Sequence, residues 1–495
     1  MLGNMPLDEL VGQHLMIGIS GTKLTPEVLK LFQDTHAGGL IVFRPNFESA
    51  KAFKKLICDL ENALGRRLLV AVDHEGGRVI HLAEGITVFP DNLALGTTKN
   101  EAYARKQGEI EGKELRRLGI DLNLSPTLDV LTENFSPNIG IRSYGKDPDL
   151  VARLGSARIK AMQSQGLSAC AKHFPGQGHS SIDSHLGLPV LNTTWDEMRQ
   201  IHIKPFVEAI KAGVDTIMSS HPVYPNLDPA RVPATFSKKL IKECLRGELG
   251  FQGVVLSDDL EMGALKNLCP MDVSAVKAIE AGHDVVLVCH DADGAREVYK
   301  TVLEAYQKGK LNVKDLEASV QRVNQLKKDR LKDGDVFPEG EGRSLAQSIA
   351  RDAISAVSGF DKPVSVIFPR LSSLSEKIFV ENEMIDEAAY VKKIFNGSAE
   401  KVLIVGIDPT DHELEEARAL LISSRSVAFF CFDAHLYPQT RKLLDLVQGS
   451  GKQSIIILLR DPYDREFVRN HVICVDAFGF RACQIQAALD TLVHS

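Results

Sequence analysis

Eight short, continuously apolar runs, separated by segments of helical period, occupy the chain through residue 332. The runs are His14–Ile19, Gly39–Phe43, Leu68–Val72, Leu122–Val130, Ser168–Lys172, Asp215–Ser220, Val254–Asp258 and Asp284–His290. Between them lie Glu48–Leu64, Glu101–Leu118, Pro148–Gln165, Trp195–Ala212, Lys238–Leu249 and Ala292–Gln307. Strands that are apolar on both faces belong to parallel sheets covered by helices. This alternation predicts a (β/α)8 barrel of TIM type, although a doubly wound sheet would show the same periodicity. The barrel makes the sharper demand, because polar groups at the carboxyl ends of its strands must face one mouth. Those ends carry Asp73, Asp129, Lys172 and His173, His221, Asp258 and His290.

A chain of 495 residues is long enough for two domains. The composition changes at 333–343, an acidic stretch rich in Gly and Pro that reads as a linker. Residues 344–495 then offer five more strand candidates, Val364–Phe368, Lys401–Ile407, Val427–Phe432, Ser454–Leu459 and Ile473–Ala477. Helices such as Glu413–Leu421 and Gln439–Val447 fall between them. That pattern predicts a smaller, flavodoxin-like α/β sandwich after a barrel domain of residues 1–332. No glycine-rich phosphate loop follows its first strand, which argues against a nucleotide cofactor there.

Charge and cysteine usage narrow the function classes. A net charge of −7 without a local basic stripe argues against a nucleic-acid partner. The eight cysteines show no CxxC spacing, and Cys170, Cys289 and Cys431 lie in apolar runs, as reduced buried thiols do. Acidic residues precede the first apolar run and no basic leader is present, so the N-terminus reads as neither signal peptide nor membrane span. A cytoplasmic location without a membrane partner is the expectation. Nothing in the sequence specifies an oligomer.

The densest chemistry follows the fifth run, in Lys172–Val190, KHFPGQGHSSIDSHLGLPV. Gly176 and Gly178 open a polar loop containing His179 and His185. Asp183 stands two residues before His185, where a carboxylate can orient an imidazole and raise its basicity for proton transfer near neutral pH. Asp258 closes the seventh run, and a strand-end carboxylate at a barrel mouth can act as a nucleophile in its ionised form. Its neighbour Asp259 suits the capping of a following helix. Asp73, in VDHEGGRV, could accept hydrogen bonds from neighbouring hydroxyls or pair with Arg78. Arg142, in NIGIRSYG, offers a rigid donor fork to hydroxyl or carbonyl oxygens. The histidines lack metal-ligand spacing, so neither metal nor cofactor is implied.

These segments resemble the family-3 glycoside hydrolases, specifically the β-N-acetylglucosaminidase branch. The loop is similar to that branch's KHFPGHG…DSH…LP pattern, with Gln177 in place of the second His and His179 where Asp is common. LRGELGFQGVVLSDDLEM resembles its nucleophile signature, VDHEGGRV its VDQEGGRVxR segment, and NIGIRSYG its IGxRSFG loop. The resemblance implies Asp258 as nucleophile, His185 as general acid/base and Asp183 as its partner. It also implies Asp73, Arg142, Lys172 and His173 as sugar ligands. His81 stands where the branch has a sugar-binding Arg. His221 and His290 are further candidates for lining the pocket, and the branch commonly has Asn at the latter position.

The implied activity is retaining, exo-acting removal of terminal N-acetylglucosamine from a small carbohydrate. With the expected cytoplasmic address, peptidoglycan turnover fragments (muropeptides among them) become the expected substrates. Some members of this branch with a His acid/base use phosphate as acceptor, so a phosphorylase is an alternative. A β-glucosidase fits less well because that branch lacks the DSH loop. An inactive sugar-binding protein is opposed by the intact Asp258, Asp183 and His185.

Overall fold

A computed structural model describes residues 5–82, 85–133, 135–184, 186–327, 340–355, 364–375, 380–395 and 399–493. Eight parallel strands follow one another in sequence order: β1 (Leu15–Ile17), β2 (Gly39–Val42), β3 (Leu69–Val72), β4 (Leu122–Asn123), β5 (Ser168–Phe174), β6 (Thr216–Ser219), β7 (Val254–Asp259) and β8 (Val285–Val288). β8 pairs back onto β1, closing a (β/α)8 barrel and removing the doubly wound alternative. Its interior is filled by side chains such as Met16, Ile41, Leu69, Leu122, Cys170, Met218, Leu256 and Leu287. It is a packed core with chemistry only at its ends.

β4 is much shorter than the Leu122–Val130 expected. Pro126 has no N–H to give to a neighbouring strand, and beyond it only an isolated bridge joins Thr127 to Lys172. The register shifts between Lys172 and Phe174 where β5 meets β6, and between Leu256 and Asp259 where β7 meets β8. Bulges of this kind re-aim side chains at a barrel rim, and here they fall at Lys172, His173 and Asp258.

Two outer helices matter for the site. Glu101–Leu118 starts from an Asn100 cap and ends at Gly119 in the left-handed region, and Pro148–Ser164 starts from an Asp147 cap. A Cβ at Gly108 would lie 2.5 Å from the Arg158 carbonyl oxygen, so the close approach of these helices requires glycine there. Between them Arg158 and Glu111, both fully buried, form a two-pronged pair at 2.8 and 2.7 Å.

Five parallel strands form a second sheet: β9 (Val364–Pro369), β10 (Ala399–Val405), β11 (Ser426–Cys431), β12 (Gln453–Leu458) and β13 (Ile473–Asp476). Their order, β10-β9-β11-β12-β13, is the flavodoxin-like arrangement. Alternate residues feed opposite faces. Val366, Phe368, Phe430 and Ile457 enter one core, and Ile367, Phe429, Ile456 and Leu458 the other. By internal contacts one compact unit comprises Met1–Glu75, His81–Thr87 and Asn100–Glu339, and the other Gly76–Ile80, Val88–Lys99 and Gly340–Ser495. Most of the expected linker lies outside the described residues, and its last positions, 341–343, form the first turn of the helix Glu341–Ala353. No helix among the described residues is long and apolar enough to cross a membrane.

Candidate active site

Four charged side chains knit together at the barrel mouth. Lys172, from the β5 bulge, places Nζ 2.5 Å from Asp73 Oδ1 and 2.7 Å from Glu75 Oε1. Arg142, in a short helical turn at Gly140–Arg142, clasps the same Glu75 with Nη2 at 2.7 Å and Nε at 2.9 Å. Thr127 donates a further bond to Glu75 Oε2 at 3.1 Å. Burial pushes the Glu75 carboxyl up, but Arg142 and Lys172 outweigh it and hold it well below its ordinary value. Burial alone would lower the Lys172 ammonium, yet Asp73 and Glu75 raise it. Both cations therefore remain charged and fixed in direction. Asp73 pairs with Lys172, whereas the Arg78 N–H donates to Asp91 at 2.6 Å.

Glu75 and its support were not read from the sequence. Arg158, neutralised by Glu111, donates to the Glu75 carbonyl at 2.6 Å and so holds the backbone of the turn. The available signal was charge balance: two cations converging on one mouth need more than Asp73 to be buried stably. Asp129 and Phe43 also gain places in the site. Asp129 Oδ2 accepts from His173 Nδ1 at 2.7 Å, and its Oδ1 accepts from the Gln177 N–H at 2.7 Å. An Arg142 N–H lies 3.4 Å from His173 Nε2.

Asp258 and Asp259 lie in a shared environment that separates them electrically. Burial pushes Asp258 up, but His173, His221 and Lys172 oppose it. The Asp259 N–H donates to Asp258 Oδ1 at 2.9 Å, and the sum lies below the ordinary carboxylate value. Burial raises Asp259 to about 7, with Glu261 and Asp258 adding to the rise. Environments that split neighbouring acids in this way divide their chemical roles. Asp259 does not cap a helix: its Oδ1 accepts from the Glu261 N–H at 3.1 Å in a turn, and the next helix starts only at Gly263.

The remaining histidines fall into different settings. His221 is buried, with Nδ1 2.7 Å from Thr235 Oγ1 and Nε2 3.0 Å from the Asp259 carbonyl. Thr235 donates its own proton to the Ser220 carbonyl at 2.9 Å. Both ring nitrogens thus face acceptors, the pattern of an imidazolium. His81 and His290 flank Phe43, with ring centroids 5.2 and 4.8 Å away. Burial lowers the His81 imidazole, and the nearby Asp73 carboxylate opposes that shift. Among the described residues no three His, Cys, Asp or Glu side chains are grouped to hold a metal ion.

The glycine loop after β5 is anchored at its base and near its tip. A Cβ at Gly178 would fall 2.1 Å from the Val130 carbonyl oxygen. The His179 ring packs against that of His202, with centroids 4.1 Å apart and the planes tilted by 33°, and its Nε2 meets Thr193 Oγ1 at 2.6 Å. Among the described residues neither ring nitrogen of His202 has a hydrogen-bond partner, and burial lowers that imidazole to about 3. Asp183 is half-buried and Ser184 buried, whereas His185 lies outside the described residues.

Comparison with known proteins agrees with this geometry. The family model for the glycosyl hydrolase family 3 N-terminal domain matches residues 6–326. A β-hexosaminidase of Idiomarina loihiensis is 38% identical over 317 residues, covering 63% of this chain and 92% of that protein. A family 3 β-N-acetylglucosaminidase from Paenibacillus sp. superposes with a TM-score of 0.92 at 31% identity, over 99% of this chain and 97% of that one. A NagZ from Neisseria gonorrhoeae, solved in complex with N-trifluoroacetyl-D-glucosamine, gives a TM-score of 0.59 at 32% identity, covering 69% of this chain and 98% of that one. The matched segment runs from before β1 to beyond β8, so that all eight barrel strands fall inside it, and the chain belongs to glycosyl hydrolase family 3, as a glycoside hydrolase of its β-hexosaminidase branch.

Proposed function

We propose that the protein is a retaining, exo-acting β-N-acetylglucosaminidase that removes terminal N-acetylglucosamine through a glycosyl-aspartate. The barrel, residues 1–332, is its catalytic domain, followed by a separate sandwich domain at 344–495. The observation that carries this reading is the electrical separation of Asp258 from Asp259 at the mouth. Asp258, kept ionised, attacks the anomeric carbon while His185, oriented by Asp183, protonates the departing oxygen. Water deprotonated by His185 then attacks the same carbon and releases the sugar with its configuration retained. A histidine in this role brings no second negative charge beside the nucleophile. Asp73, Lys172, Arg142 and His173 bind the terminal sugar, with His81, His221 and His290 around it. Glu75 holds the two cations from behind.

The relatives named β-hexosaminidase and the neighbour that carries an N-acylglucosamine analogue support the N-acetyl sugar as substrate. Peptidoglycan turnover fragments in the cytoplasm are the proposed physiological setting. The test is nitrophenol release from the β-N-acetylglucosaminide and the β-glucoside, with and without phosphate. Preference for the N-acetyl sugar without phosphate dependence is the expected result. Acceleration by phosphate with sugar 1-phosphate as product would replace hydrolysis by phosphorolysis, and no turnover of either would leave a binding protein.

A further inference from the structure

The loop that carries Asp183 has little apolar anchorage near its tip. Ile182, Leu186 and Val190 are 48, 80 and 53% exposed. The exception is Ser184, 1% exposed in the middle of the Asp-Ser-His sequence. Its hydroxyl accepts from Asn138 Nδ2 at 3.0 Å, and its carbonyl accepts from the Ala264 N–H at 3.1 Å. Asn138 also binds Arg142, whose Nη1 donates to the Asn138 carbonyl at 2.9 Å and to its Oδ1 at 3.2 Å. Ala264 lies six residues beyond Asp258, just after β7. Ser184 therefore ties the loop to two segments that bear proposed reactive or sugar-binding groups.

We propose that Ser184 and Asn138 are positioning residues that set where Asp183 stands relative to the sugar held by Arg142. The inference rests on the proposed roles of Asp183 and His185 as acid/base pair. A hydroxyl in a polar latch contributes no apolar burial to lose, so removing it loosens the loop and leaves the barrel in place. Ser184→Ala removes no contact of Arg142, which keeps its bonds to Glu75 and to the Asn138 carbonyl.

The test compares kcat/KM on two substrates. One is N-acetylglucosamine β-linked to a second sugar, whose departing oxygen needs a proton. The other is the dinitrophenyl glycoside, whose aglycone leaves without one. Correctly placed acid catalysis is worth roughly 10² to 10⁴. Ser184→Ala should therefore lose about ten- to a hundredfold on the disaccharide and less than about threefold on the dinitrophenyl glycoside. The second result also shows that the variant is folded. Combining Ser184→Ala with Asn138→Ala should cost no more than the worse single change, because the two share one hydrogen bond. Equal losses on both substrates, no loss on either, or additive losses in the double variant would overturn the proposal. His185→Ala serves as the reference. If it loses equally on both substrates, the acid/base assignment itself fails, independently of the latch.

Discussion

Burial acts on both Asp258 and Asp259, yet cationic neighbours hold only Asp258 below the carboxylate range. Asp258→Asn removes the proposed nucleophile and keeps its volume. Turnover should fall by on the order of 10⁴-fold or more, while N-acetylglucosamine binding, followed by calorimetry, persists. Normal turnover would displace Asp258 from the role. His221 supplies part of the positive field. Taking a cation from beside a carboxylate raises its pKa, so His221→Gln should move the acid limb of kcat/KM to higher pH. An unmoved limb would mean that His221 is neutral. Glu75→Gln leaves Lys172 and Arg142 without their shared anion. Breaking a buried pair from one side costs about 3–5 kcal/mol, so the barrel's urea midpoint should fall and KM should rise. The wild-type Glu75 contribution is present above the ordinary Glu pKa and is lost only as pH falls through its depressed folded value.

Among the elements, strands were the most legible in sequence. Seven of the eight barrel runs became strands within a few residues of expectation, because a strand buried on both faces must be apolar throughout. β4 was overestimated because the polar and proline-containing stretch after Asn123 still looked apolar on average. The bulges in β5 and β7 left no mark in hydropathy, yet they decide how Lys172, His173 and Asp258 are presented. The loop after β5 was legible as a motif and illegible as a packed object. Its hold on Asp129, Val130 and His202 comes from residues distant in sequence. Gly178→Ala would push a methyl into the Val130 backbone and shift the whole loop. Disaccharide turnover should drop more than tenfold in that variant, an order of magnitude set by misplacement of the acid, with little change in affinity for the free sugar. Unchanged turnover would show that the loop's path is not tied to Val130.

Across the whole molecule, the two-fold division of the chain was visible in composition, but its membership was not. Gly76–Ile80 and Val88–Lys99 count with the second unit although they precede β4 in the chain, a long-range grouping no local pattern encodes. Buried neutral histidines give the barrel a pH signature. Burial lowers His202 to about 3 and His283 to about 4. The unfolded chain takes protons on these rings below about 6.5 and the folded chain does not, so stability falls as pH drops from about 6.5 toward those folded values. Between pH 7 and 5 each should cost the barrel about 2 kcal/mol. Trp195, the chain's one tryptophan, lies in the barrel unit, so its fluorescence in urea reads that unit. Asp259, raised to about 7, gains stability over the same range, so the check is the comparison of wild type with His202→Gln. A wild-type midpoint that falls no further on acidification than the variant's would mean that the His202 ring is protonated in the fold.

The central claim, double displacement through Asp258, is tested most directly by the anomer first released. Proton NMR during cleavage of a β-N-acetylglucosaminide should show the β-anomer of N-acetylglucosamine appearing first, with the α-anomer following only by mutarotation. Initial release of the α-anomer would mean a single displacement by water and would contradict a covalent role for Asp258.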